Sequence, residues 1–172
     1  MPAQYYRDAQ RLATKERRNC ITYGQYPYLP VLDDILPAEK SAGGTDLGLV
    51  QVPAQFIVGT KTAMRTTAFA RNFMPLLPEN SEFAGKWIRL CQSHLEEGIR
   101  DPVTLYEYMN RYYVAEGNKR VSVLKYFDAV SIPAKVTRIL PERNGDQDVE
   151  LYYEFIDFSR YSGINFFELT KP

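Results

Sequence analysis

Apolar positions along the chain fall into several rhythms. In residues 4–22, Tyr5, Ala9, Leu12 and Cys20 recur near one helical face, with Arg7, Lys15, Arg17 and Arg18 elsewhere. That is an amphipathic helix with a solvated basic side. Three prolines in YPYLPVLDDILP follow, then Ser41-Ala42-Gly43-Gly44-Thr45, which predicts an extended segment and a linker before the core. The run LGLVQVPAQFIV at 47–58 is rich in β formers and broken by Pro53, so it reads as a kinked strand or a strand followed by a short turn. Residues 62–78 lack a clean period and predict a loop with one helical turn.

Asn80 or Ser81 can cap a helix whose Phe83, Trp87, Leu90, Cys91 and His94 follow helical spacing, and Gly98 stops it. Val103, Leu105 and Met109 alternate with Thr104, Tyr106 and Tyr108, predicting a strand. Asn110-Arg111 then turns the chain into residues 112–115 as a hairpin. Val121, Leu124, Lys125 and Phe127 return to helical spacing, so Gly117 sits where a strand passes into a helix. Residues 132–139 read as another strand and 141–148 as a polar turn. The β-branched and aromatic stretch 149–158 predicts a last strand, with Phe166, Phe167 and Leu169 docking the end.

Composition narrows the class. With 172 residues, 45% apolar and 24% charged, the chain is one domain with an extension, large enough to fold without disulfides or a structural metal. Lys plus Arg and Asp plus Glu balance at 21 each. The balance removes a global pull toward nucleic acid and argues against DNA as partner, while leaving a local basic pocket open. There is no apolar run long enough to span a membrane, and MPAQYYRD carries charges where a signal peptide needs an apolar core, so a cytoplasmic protein is expected. Cys20 and Cys91 form no C-x-x-C pair and have no histidine beside them, which predicts idle buried thiols and no metal site. His94, the sole histidine, lacks the partners of a triad and is expected to pack against its helix neighbours.

Chemistry concentrates at residues 114–124. A glycine at a strand-to-helix junction turns the backbone tightly and leaves the first helical N–H groups unsatisfied, while Lys119 and Arg120 add positive charge at that same end. Cations there oppose the helix dipole, and a phosphate would relieve the conflict by accepting the free N–H groups and pairing with the guanidinium. Asn118 and Ser122 offer further hydrogen bonds to phosphate, although Asn118 equally suits a helix cap. Glu116 could orient the cations, hold a metal with the phosphates, or act as a base. The plain alternative is a turn glycine with solvated cations, one of them paired with Glu116.

The order of these segments resembles the ParB/sulfiredoxin-like superfamily over roughly residues 47–139. The resemblance rests on Val52-Pro53 with Ile57, Arg65, the helix carrying Leu90, Ser93, Leu95 and Gly98, then Asp101-Pro102-Val103, YVAEGNKR at 113–120, and Ile132-Pro133-Ala134-Lys135-Val136. It implies an α+β fold: a mixed sheet with helices, preceded by an N-terminal helix and followed by a β extension. The divisions would be 1–45 for the helix and Pro-rich segment, 46–142 for the core domain and 143–172 for the extension. It also implies a bound nucleoside triphosphate or diphosphate, with or without magnesium, held by Gly117, Asn118, Lys119, Arg120, Ser122 and Arg65. Asn118 stands where sulfiredoxins carry their catalytic cysteine, so sulfiredoxin activity is not expected. Free-serine kinases of this fold carry a carboxylate at the place of Glu116, which makes Glu116 the catalytic candidate. EGNKRVSVLKYF and G-T-K-T-x-x-R also resemble the N-terminal region of larger bacterial proteins with a periplasmic-binding-like half. The expected function is a nucleotide-binding regulatory or interaction module. The alternatives are a phosphotransferase or NTP hydrolase of the same fold and, third, a DNA-binding or nuclease-like protein. A homodimer or a partner domain is left open as the protein partner.

Overall fold

A computed structural model describes residues 1–37 and 43–163, with the side chains of residues 64 and 65 outside the description. The helices are α1 (Pro2–Thr22), α2 (Leu32–Ile35), α3 (Glu82–Glu96), α4 (Asn118–Tyr126) and α5 (Gln147–Ser162). The strands are β1 (Gly44–Pro53), β2 (Ile57–Thr60), β3 (Val103–Tyr108), β4 (Arg111–Glu116) and β5 (Ser131–Ile139), with short 3-10 turns at Ala54–Phe56 and Ala63–Ala68. They form one mixed sheet in the order β1-β5-β3-β4-β2. β1 runs antiparallel to β5 and β3 antiparallel to β4, while β5 with β3 and β4 with β2 are parallel. The expected mixed sheet with helices is thus present.

β3 sets the two faces. Its alternation buries Val103, Leu105 and Glu107 on one side. Over that side lie Tyr6, Ala9 and Ala13 of α1, Phe83, Trp87 and Cys91 of α3, and Val121 and Leu124 of α4. Trp87 is fully buried; its indole donates to Ser122 Oγ at 2.9 Å, and Tyr6 and Tyr126 meet its ring edge-on. α5 joins the same face further along the strands, where Tyr152 donates to the Glu107 carboxylate at 2.6 and 2.7 Å and Arg138 Nε donates to it at 2.9 Å. On the opposite face Leu32, Tyr113 and Ile139 form a smaller cluster with Tyr106 and Tyr108. The hairpin turns at Met109 and Asn110, both with positive φ, one residue earlier than the pattern placed it.

Several expectations are corrected. The stretch 149–158 is helical, within α5. Asp146 caps that helix by accepting from Asp148 N at 2.8 Å, Asp148 and Glu150 favour its positive end, and Val149, Tyr152 and Ile156 are buried at helical spacing. The tyrosines and phenylalanines suggested a strand by residue type, but their burial period is helical. On α1 the buried face is Tyr6, Ala9, Ala13 and Cys20, and Leu12 is 48% exposed. Gly44 and Thr45, placed in a linker, begin β1, and the 47–58 run divides into β1, a 3-10 turn and the start of β2. Ser41 and Ala42, and the docking of Phe166, Phe167 and Leu169, lie outside the described residues. Both cysteines are buried and free, and His94 packs its ring against Phe127 with Nδ1 accepting from Ile99 N.

Candidate functional site

β4 ends at Glu116, and the chain enters α4 through Gly117 at φ 107° and ψ 26°. A Cβ there would lie 2.6 Å from Val103 Cγ1, so both the backbone conformation and the neighbouring strand require glycine. Among the described residues no side chain caps α4, which leaves its first N–H groups open.

These groups face a pocket of about 610 Å³ between α3 and α4. Lys119 and Arg120 line it from α4, Lys86 and Arg89 from α3, and Thr60, Thr62 and Phe69 from β2 and the turn after it. Among the described residues, four cations therefore surround one carboxylate, that of Glu116. Each is held. Arg120 Nη1 donates to the carbonyls of Asp101 and Pro102 at 3.2 and 3.1 Å, and Nη2 lies 3.7 Å from Glu116 Oε1. Lys119 Nζ sits 5.1 Å from the Phe83 ring centroid, Lys86 pairs with Glu82 at 2.6 Å, and Arg89 Nε reaches Gly85 O at 3.4 Å. The Glu116 side chain is 80% exposed.

Asn118 carries an unusual carboxamide. Thr60 Oγ1 spends its proton on Val114 O at 3.1 Å, so it can only accept from Asn118 Nδ2, at 3.3 Å. That orients the amide. Its Oδ1 is buried without a partner among the described residues, a condition costing about 1–3 kcal/mol.

The structure brings Glu116, Gly117, Asn118, Lys119 and Arg120 to one pocket and does not bring Ser122, which is fully buried with its hydroxyl accepting from Trp87. Ser122 was expected on the phosphate side because it follows Arg120 closely, but the helical turn carries it inward. The Arg65 side chain lies outside the described residues. Lys61 pairs with Asp33 on the opposite face of the sheet, and Arg71 Nη1 donates to Tyr26 O. Lys86, Arg89 and Ser93 were missed; their mutual spacing on α3 marks a common face, but only the packing of α3 beside α4 makes it a pocket wall.

No protein-family model matches the chain, and no curated protein matches it. Solved structures are similar to it, among them these two. One is a sulfiredoxin from Arabidopsis thaliana, 20% identical, with a TM-score of 0.36, covering 62% of this chain and 96% of that one. The other is a C-terminally truncated chromosome-partitioning protein ParB from Caulobacter crescentus, complexed with CTP-gamma-S. It is 12% identical with a TM-score of 0.35, covering 69% of this chain and 54% of that one. Among the described residues no helix is long and apolar enough to cross a membrane, and no group of three or more His, Cys, Asp or Glu is placed to hold a metal ion.

Proposed function

We propose that the chain binds a nucleoside phosphate between α3 and α4 and acts as a regulatory or interaction module that responds to it. The carrying observation is an uncapped helix start opening on a pocket ringed by four cations. Open N–H groups and guanidinium forks suit phosphate oxygens. Leu90 supplies apolar surface for a base, with Phe69 fully buried behind that wall. A turn of the Asn118 carboxamide away from Thr60 would offer its acceptor oxygen to a hydroxyl or amino hydrogen, such as those of a nucleoside. Arg120, tied to the Asp101 and Pro102 carbonyls, holds the loop before β3 against the start of α4. A phosphate competing for that guanidinium would loosen or shift the loop, which gives a route from binding to a changed surface.

Calorimetric titration with ATP, ADP, CTP and GTP, with and without magnesium, tests this. We expect saturable one-to-one binding by at least one of them, weakened about tenfold or more in Arg89→Ala, which removes a pocket cation without touching the Arg120 tether. Absence of binding by every nucleotide overturns the reading. Glu116→Gln should bind as the wild type does; nucleotide consumption present in wild type and lost in this variant would move the assignment to a phosphotransferase or NTP hydrolase with Glu116 as base.

A further inference from the structure

α1 and α5 repeat one spacing with opposite charge. On α1, Arg11, Lys15 and Arg18 stand at i, i+4 and i+7, all exposed, beside Leu12 at 48% exposure. On α5, Glu150, Glu154 and Asp157 stand at the same spacing, all exposed, beside Leu151 at 51% and Phe158 at 46%. At the helical rise each stripe is about 10 Å long. The bias holds over whole helices: α1 carries Arg7, Arg11, Lys15, Arg17 and Arg18 against Asp8 and Glu16, whereas α5 carries Asp148, Glu150, Glu154 and Asp157 against Arg160. That is a net +3 facing a net −3 in a chain of zero net charge.

Most charges of the two stripes find no ion-pair partner among the described residues. Arg11 pairs with Asp8 of its own helix, 3.1 Å away, but Lys15, Arg18, Glu150, Glu154 and Asp157 make no ion pair with a described residue. Both helices stand on the same face of the sheet with their stripes turned to solvent.

We propose that the occupant of each stripe is a second copy of this chain, α1 of one against α5 of the other, with Leu12 enclosed by Leu151 and Phe158. Because α1 and α5 share a sheet face, a two-fold axis lets both contacts form at once, each copy giving α1 and receiving α5. The charge rows set register and speed encounter, and the leucines and phenylalanine supply the area removed from water. This pairing is independent of what fills the α3–α4 pocket.

Light-scattering mass of the full chain at about 20 mM and about 500 mM salt tests it, since screening shortens from roughly 20 Å to roughly 4 Å between them. We expect twice the chain mass of 19.8 kDa at low salt and the single mass at high salt. Arg11→Glu with Lys15→Glu, and separately Glu154→Lys with Asp157→Lys, should each stay single at both salts while keeping the wild-type circular dichroism. An equimolar mixture of the two should regain the double mass at low salt, because every contact then joins opposite charges again. If a reversal disturbs folding, Lys15→Gln and Glu154→Gln read the same contact, each as about a tenfold weaker pairing. A wild type that stays single at low salt, reversed variants that pair like wild type, or a mixture that remains single overturns the proposal.

Discussion

Gly117 is the residue on which the turn depends. Its φ of 107° is costly for any L side chain, and a Cβ would press into Val103. Gly117→Ala should lower stability by about 2 kcal/mol or more, read as a shift of the urea midpoint at unchanged slope; an unshifted midpoint would mean the turn relaxes freely. Lys125 makes a different kind of demand. Burial pulls its ammonium down from the ordinary 10.5 to about 8, and Nζ donates to Ile57 O at 2.7 Å beneath the Phe73 ring. Between those two values the unfolded chain holds a proton that the folded chain has released, so stability should rise with pH across that window, by at most about 3 kcal/mol. Tyr6, pushed up to about 12 chiefly by burial, acts in the opposite sense above its unfolded value of 10.0. The buried thiols of Cys20 and Cys91, pushed up from 9.0 chiefly by burial, also oppose it, so the lysine is read as the difference between wild type and Lys125→Met in denaturant melts between about pH 8 and 9.5: the variant's stability should rise less with pH, and an equal slope in both proteins would remove the assignment.

Among the elements, α5 is joined to the sheet through a carboxylate. Burial, reinforced by Glu107, pushes the Tyr152 hydroxyl up, so the phenol stays protonated and keeps donating at ordinary pH. Tyr152→Phe should cost about 2 kcal/mol and speed hydrogen exchange along α5 while leaving α4 amides protected. Uniform acceleration across both helices would instead indicate that α5 is integral to the whole core. The sequence pattern anticipated β3 because Val103 and Leu105 alternate cleanly, yet it placed Met109 inward and overlooked Glu107 in the buried slot. A carboxylate there makes sense only with Arg138 and Tyr152, 31 and 45 residues away. For α5 the residue types suggested one structure and the period of burial dictated another, and with aromatic residues on several sides the period was hidden.

Across the whole molecule, the half of the site written in consecutive residues was legible and the half assembled by packing was not. Glu116 to Arg120 could be read because the strand, the glycine and the helix start are local. Lys86 and Arg89 gain their place only when α3 settles beside α4, and Ser122 loses its place when Trp87 claims its hydroxyl. The order of the sheet carries a temporal consequence as well. Among the described residues β1 lies at the sheet edge and pairs only with β5, Gly44 opposite Ile139 and Pro53 opposite Ser131. On the ribosome, at roughly 5–20 residues per second, β1 must wait several seconds for the roughly 80 residues that separate it from its partner. Throughout that interval its backbone is open to pairing with neighbouring nascent chains. The bulge at Gly48, with Asp46 bonded back onto it, bends the strand and places a charge on it. An irregularity of the finished sheet thus makes the waiting strand a poor template for strangers.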